Sequence, residues 1–130
     1  KNLKKIINTL KKNKIRVSLF IEPSVSDIKK SKLLGANCVE LHTGKFCNQF
    51  NKGKNINNSF RNLKKASMYG QNIGLEVHAG HGLTYKTAKI ISKIKYIKEL
   101  NIGHFIISDA LFIGLEKTIR NFKEILKSNK

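Results

Sequence analysis

The 130-residue chain has no tryptophan, one proline, one methionine and two cysteines. Cys38 and Cys47 are too few for a disulfide framework, and their spacing matches no zinc motif. A reducing, cytoplasmic setting is the simple inference. Cys38 lies in an apolar run and reads as a buried thiol, whereas Cys47 falls in a polar loop. No apolar run is long enough to span a membrane, and no signal peptide is visible. Acidic residues are scarce, at 8 against 26 basic, which leaves a formal net charge of +18. A charge of that size suggests a nucleic-acid partner. Arginine is scarce too: only Arg16, Arg61 and Arg120 break a lysine population spread from end to end. Nucleic-acid modules rely on arginine, aromatic platforms and clustered charge. The lysines therefore read as a solvated surface, with weak, salt-sensitive polyanion binding as its consequence. No initiating methionine is present, and Leu3, Ile6, Ile7 and Leu10 already repeat at helical spacing. A helical pattern that includes residue 1 suggests a fragment or a processed chain.

What is present is a clean alternation. A helix is predicted over Leu3 to Lys12 and a strand over Val17 to Ile21, broken at Glu22-Pro23-Ser24. A second helix covers Ser26 to Leu34, with Gly35 placed to end it. Cys38 to His42 reads as the second strand and Thr43 to Asn58 as a long polar loop. Ile56, Phe60, Leu63 and Ser67 mark a helix reaching Tyr69, and Gly74 to His78 forms the third strand. Thr84 can cap a helix whose Ala88, Ile91 and Ile94 share a face. The apolar run His104 to Ser108 reads as the fourth strand, and Leu115, Ile119, Phe122 and Leu126 stripe a last helix. The order is α(βα)4, which argues for an α/β fold with a parallel sheet and helical crossovers. Residues 1–130 form a single partial domain. Four such units are half of a (β/α)8 barrel of about 250 residues; a small doubly wound sheet competes. In both, ligands bind at the C-terminal ends of the strands. Glu22, Glu40 with His42, His78 with His81, and Ser108 with Asp109 gather there.

The stretch Val77-His78-Ala79-Gly80-His81-Gly82-Leu83-Thr84-Tyr85 carries the most chemistry. Glycines at a strand-to-helix turn let a ligand approach the backbone. A helix start offers free N–H groups to an anion, and a histidine in the turn exchanges a proton near neutrality. His81 is thus an acid–base candidate, while His78 lies deeper in the strand and reads as structural. Two histidines lack the third ligand of a catalytic zinc site. Glu40 sits mid-strand between Val39 and Leu41, where a carboxylate is costly unless partnered. It is read either as a functional carboxylate at the barrel mouth or as half of an ion pair with a lysine. Gly103 reads as a turn residue and His104 as a strand start. Ser108 and Asp109 fall at the N-terminus of the last helix, as capping residues or as site residues.

Four segments occur in order: Arg16-Val17-Ser18-Leu19-Phe20-Ile21, Val39-Glu40-Leu41-His42-Thr43-Gly44, Ala79-Gly80-His81-Gly82-Leu83-Thr84-Tyr85 and Leu100-Asn101-Ile102-Gly103-His104. Together they resemble the C-terminal half of the pyridoxine 5′-phosphate synthases of the deoxyxylulose-phosphate-dependent vitamin B6 pathway. The resemblance implies a TIM barrel assembled as a homo-octamer. It implies condensation of 1-deoxy-D-xylulose 5-phosphate with 3-amino-2-oxopropyl phosphate, with release of phosphate and water. Its partners are small phosphorylated substrates; it implies no metal, organic cofactor, membrane or specific nucleic acid. His81 matches the proton donor and Glu40 the carboxylate that stabilises the transition state. Gly82, Gly103 and His104 match positions contacting the amino-ketone phosphate. The family's glutamate base and a further catalytic histidine come from strands before Lys1, so the isolated chain is expected to be inactive. Ser108-Asp109-Ala110 departs from the family where a glycine is expected after the last strand, which bears on the phosphate pocket. A basic RNA- or polyanion-binding module and another phosphosugar-binding barrel enzyme are the alternatives.

Overall fold

A computed structural model describes residues 2–127. Lys1 and residues 128–130 of the expected 1–130 domain lie outside the described residues, and with Lys1 the extension of the first helical pattern to residue 1. The elements are α1 (Asn2–Lys12), β1 (Ser18–Ile21), α2 (Val25–Leu34), β2 (Cys38–His42), α3 (Gly44–Asn51), α4 (Asn57–Asn72), β3 (Glu76–Gly80), α5 (Tyr85–Ile91), β4 (Glu99–Asn101), α6 (His104–Ile113) and α7 (Leu115–Lys127). The four strands form one parallel sheet in the order β1-β2-β3-β4. The order follows the chain and contains no reversal.

Strand alternation divides the sheet into two chemically different faces. Leu19, Ile21, Val39, Leu41, Val77, Ala79 and Leu100 point into the core, against Ile28 of α2, Phe46 and Cys47 of α3, Leu63 and Ala66 of α4, and Ile91 of α5. Ser18 and Phe20, Glu40 and His42, Glu76 and His78, Glu99 and Asn101 point the other way. On that second face Phe20, Glu76 and Glu99 are exposed. Its N-terminal end is tied by polar pairs instead of apolar packing. Arg16 meets Glu76 at 2.7 Å, and buried His78 reaches Glu76 at 2.7 Å and Glu99 at 3.7 Å. The hydrogen bonds from His78 and Arg16 hold the Glu76 carboxyl below its usual value.

Local signals set several boundaries. Ser24 accepts from the Asp27 N–H and starts α2, and Gly35, at φ 92°, ends it in the left-handed region. Thr84 and Thr87 form a reciprocal capping box at the start of α5.

Three expectations are corrected. The stretch after Thr43 is not all loop: Gly44–Asn51 is α3, which buries Phe46 and Cys47. Cys47 is therefore a core thiol, hidden in the sequence by surrounding Lys and Asn. The third strand starts at Glu76 instead of Gly74 and continues through Gly80, because Gly74 turns the chain at φ 73°. His104 to Ser108 is not a strand. It opens α6, and the fourth strand is Glu99–Asn101, paired with His78–Gly80 of β3. A short apolar run does not by itself distinguish strand from buried helix. Here the sheet position is already taken by Glu99–Asn101.

Candidate active site

The C-terminal ends of the strands open on a cleft of about 640 Å³. Glu40 from β2, His81 and Gly82 from the turn after β3, and Gly103 and His104 after β4 all line it, with Phe20 and Asn101. Five residues from three separate stretches of sequence thus meet in one place.

The turn after β3 is built by two consecutive left-handed residues, His81 at φ 81° and Gly82 at φ 78°. For glycine this conformation is easy, but for histidine it costs about 1–3 kcal/mol. The surroundings hold it. Thr43 is fully buried, and its hydroxyl lies 2.8 Å from the Gly80 carbonyl and 2.6 Å from that of His81. A side chain on Gly80 would collide with the Glu40 carboxylate and stand 2.8 Å from the Asn101 carbonyl, so this strand end needs glycine for close approach. The His81 ring stands edge-on to His42, with ring centres 4.7 Å apart, and 6.3 Å from Phe20.

Among the described residues Glu40 has no lysine partner, contrary to the ion-pair alternative. Its Oε2 accepts from the Asn101 Nδ2 at 2.6 Å. A neutral amide orients the carboxylate without neutralising it, which leaves its charge for the cleft. Beside it, His42 Nδ1 donates to Glu22 Oε1 at 2.7 Å. The carboxylate accepts, so a neutral His42 keeps its proton on Nδ1.

Gly103 and His104 begin α6, Gly103 as N-cap and His104 as first residue. A side chain on Gly103 would meet no atom of the described residues within 4 Å, and its φ of −110° suits any residue. Neither packing nor backbone requires glycine there; the open space faces the cleft, at a helix start whose N–H groups favour an anion.

Other candidates lie elsewhere. His78 is a buried strand residue held by Glu76 and Glu99. Ser108 and Asp109 sit inside α6 instead of at a helix start, so the departure noted at Ser108-Asp109-Ala110 does not touch the cleft. Asp109 Oδ2 accepts from Tyr85 Oη at 2.5 Å and from Thr118 Oγ1 at 3.0 Å, which ties α5, α6 and α7 together. Cys47 lies beneath the turn; its Cβ is 3.4 Å from where a Gly82 side chain would begin. Burial pushes its thiol up from the ordinary value, against hydrogen bonds with Thr87 and Thr43. Among the described residues no group of three or more His, Cys, Asp or Glu is placed to hold a metal ion. No role for Asn101 is legible in the sequence, because Glu99–Asn101 lacks the apolar pattern of a strand. Thr43 carried a weak sign, as a threonine directly after a strand.

Residues 1–128 match the family described as "Pyridoxal phosphate biosynthesis protein PdxJ". The chain belongs to that family. Its relatives include a pyridoxine 5′-phosphate synthase of Pelagibacter ubique, 55% identical over 125 residues, covering 96% of this chain and 52% of the relative. A pyridoxine 5′-phosphate synthase of Sulfurihydrogenibium is 46% identical, covering 95% of this chain and 50% of the relative. One from Rhodospirillum rubrum is 43% identical, covering 94% and 49%. The chain thus spans about half the length of the curated relatives it matches. No described helix of this PdxJ-family chain is long and apolar enough to cross a membrane.

Proposed function

We propose that this chain supplies one half of the (β/α)8 barrel of a pyridoxine 5′-phosphate synthase. That enzyme condenses 1-deoxy-D-xylulose 5-phosphate with 3-amino-2-oxopropyl phosphate to pyridoxine 5′-phosphate, phosphate and water. The observation that carries the reading is the single cleft shared by Glu40, His81, Gly82, Gly103 and His104. The chain-ordered parallel sheet supports the half-barrel, since a doubly wound sheet reverses its strand order at a switch point. Its uncovered polar face is the one that would line a barrel interior.

The roles follow from the geometry. Joining an amine to a ketone expels water, and the departing hydroxyl needs a proton; His81, held at the rim on a fixed turn, delivers it. The imine that forms carries positive charge when protonated. Glu40, oriented by Asn101 and not neutralised, stabilises that charge. Gly82 and Gly103 give backbone access, and His104 with the α6 start receives the phosphate of the amino-ketone. Self-association in the manner of the family, as an octamer, is part of the same proposal.

The test is pyridoxine 5′-phosphate formation from the two phosphorylated substrates by the full-length protein. His81→Asn is expected to lower kcat by about 10²–10⁴-fold with a smaller change in KM. Glu40→Gln is expected to fold and to lose most turnover. Near-parental kcat in both variants would remove these residues from the reaction. Binding that grows with RNA length and vanishes with salt, without turnover, would favour a polyanion module instead.

A further inference from the structure

Thr43 stands at the N-cap position of α3, a position where threonine ordinarily accepts a hydrogen bond from the helix with its side chain. It makes no such bond. Its hydroxyl instead faces a different element, with the Gly80 carbonyl at 2.8 Å and the His81 carbonyl at 2.6 Å. The Thr43 backbone N–H also donates to the Gly80 carbonyl, at 2.8 Å. Gly80 is therefore already partnered, and the one hydroxyl proton is best used on His81. The donor is fully buried, so water does not compete for it. The carbonyl it holds belongs to the non-glycine residue at φ 81°.

The turn is also held from its other end. The Thr84 N–H donates to Thr87 Oγ1 at 2.7 Å, and Thr87 is fully buried as well. Cys47 fills the space between, under Gly82. Two buried hydroxyls thus frame the five residues from Gly80 to Thr84. Only His81 within that frame offers a titratable side chain to the cleft.

We propose that Thr43 is a positioning residue for His81: its buried hydroxyl holds the left-handed His81 backbone and so fixes where the imidazole meets the substrate. The inference rests on the proposed role of His81 as proton donor. Thr43 touches no reacting atom; it acts through the turn. Misplacing an acid–base group by about 1 Å costs on the order of 10²-fold in rate.

The experiment compares Thr43→Val, which keeps the shape and removes the hydroxyl, with Thr43→Ser, which keeps the hydroxyl, in the full-length protein. Two readouts are used: kcat and KM for pyridoxine 5′-phosphate formation, and the ring resonances of His81 in protein labelled at histidine. Thr43→Val is expected to lower kcat about 10- to 100-fold, with KM changed less than about threefold, and to shift or broaden the His81 signals. Thr43→Ser is expected to retain most of the rate and the parental His81 signals. If Thr43→Val does not fold, Thr43→Ala against Thr43→Ser supplies the same comparison of hydroxyl with none. Parental kcat and unchanged His81 signals without the hydroxyl would overturn the assignment. So would equal losses in the Ser variant, since packing and not the hydroxyl would then be responsible. If the parent protein makes no pyridoxine 5′-phosphate, the proposed activity falls, and the His81 resonances alone decide the role of Thr43.

Discussion

At the residue scale the cleft is made by atoms that have given up a local role for a distant one. Glu40 on β2 meets Asn101 on β4, and Thr43 at the start of α3 serves the turn after β3. Cys47 shows the same coupling through burial. Its thiol titrates above the ordinary 9.0 because the charged form is desolvated in the core. An unfolded chain releases that proton at lower pH than the folded one. The stability linked to Cys47 is therefore complete below about pH 9 and is lost as pH rises through the raised folded value. We expect the denaturant midpoint of the full-length protein to fall with pH above that point, and to fall less steeply in Cys47→Ala. Equal slopes across a pH series would show that this thiol is not linked to folding. Glu40 and His81 were legible from their own positions, as a carboxylate inside an apolar strand and a histidine between glycines. Gly103 and His104 were reached only by resemblance, because their helix was read as a strand.

At the scale of elements, packing decides what pattern leaves open. In α4, Gly70 lies against β3, and a side chain there would stand 2.7 Å from Val77 Cγ2. Alanine is the better helix former by about 1 kcal/mol. Overfilling a packed core costs about 1–3 kcal/mol. Val77 is 1% exposed and Ile28 closes the other side at 3.7 Å, so little room exists for relief. Gly70→Ala is thus expected to lower the thermal midpoint despite its helical gain, and in a Val77→Ala background alanine is expected to become the more stable residue at position 70. Urea titration of the four combinations measures this coupling; simple additivity would show that helix and strand do not touch there. The misread elements have the same cause. Phe46, Cys47 and Phe50 give α3 its inner face, but Lys45 before them and Asn48 and Gln49 between them mask the period. Glu99-Leu100-Asn101 has one apolar residue, too few for an alternation, and becomes a strand only by pairing with β3.

At the scale of the whole molecule, two surfaces are unusual for a chain with a net charge of +18. One is the polar sheet face lined by Glu40, Glu76, His78 and Glu99, which holds acidic groups on a basic protein. The other is α6, where Ile107, Leu111 and Phe112 are 62%, 81% and 88% exposed. The outer strands β1 and β4 each have a neighbour on one side only, and such edges invite pairing with another chain. The 130-residue chain by itself is accordingly expected to self-associate and to form no pyridoxine 5′-phosphate, and to gain turnover when combined with the remaining half of the barrel. Sedimentation and product assay of the purified chain, alone and with that half, measure both. Turnover by the chain alone at the rate of a full-length relative would defeat the half-barrel reading.

The sequence by itself determined the alternation of helix and strand, the parallel α/β class, and the glycine–histidine turn with its neighbouring carboxylate. These depend on local spacing, on side-chain polarity and on glycine's backbone freedom, all of which are written along the chain. Only the tertiary structure decided that Asn101 orients Glu40, that Thr43 serves His81, and that the fourth strand ends before Gly103. Each of those is a contact between residues far apart in sequence or a competition for one place in the sheet. Such outcomes depend on which partner arrives, and no local pattern encodes it.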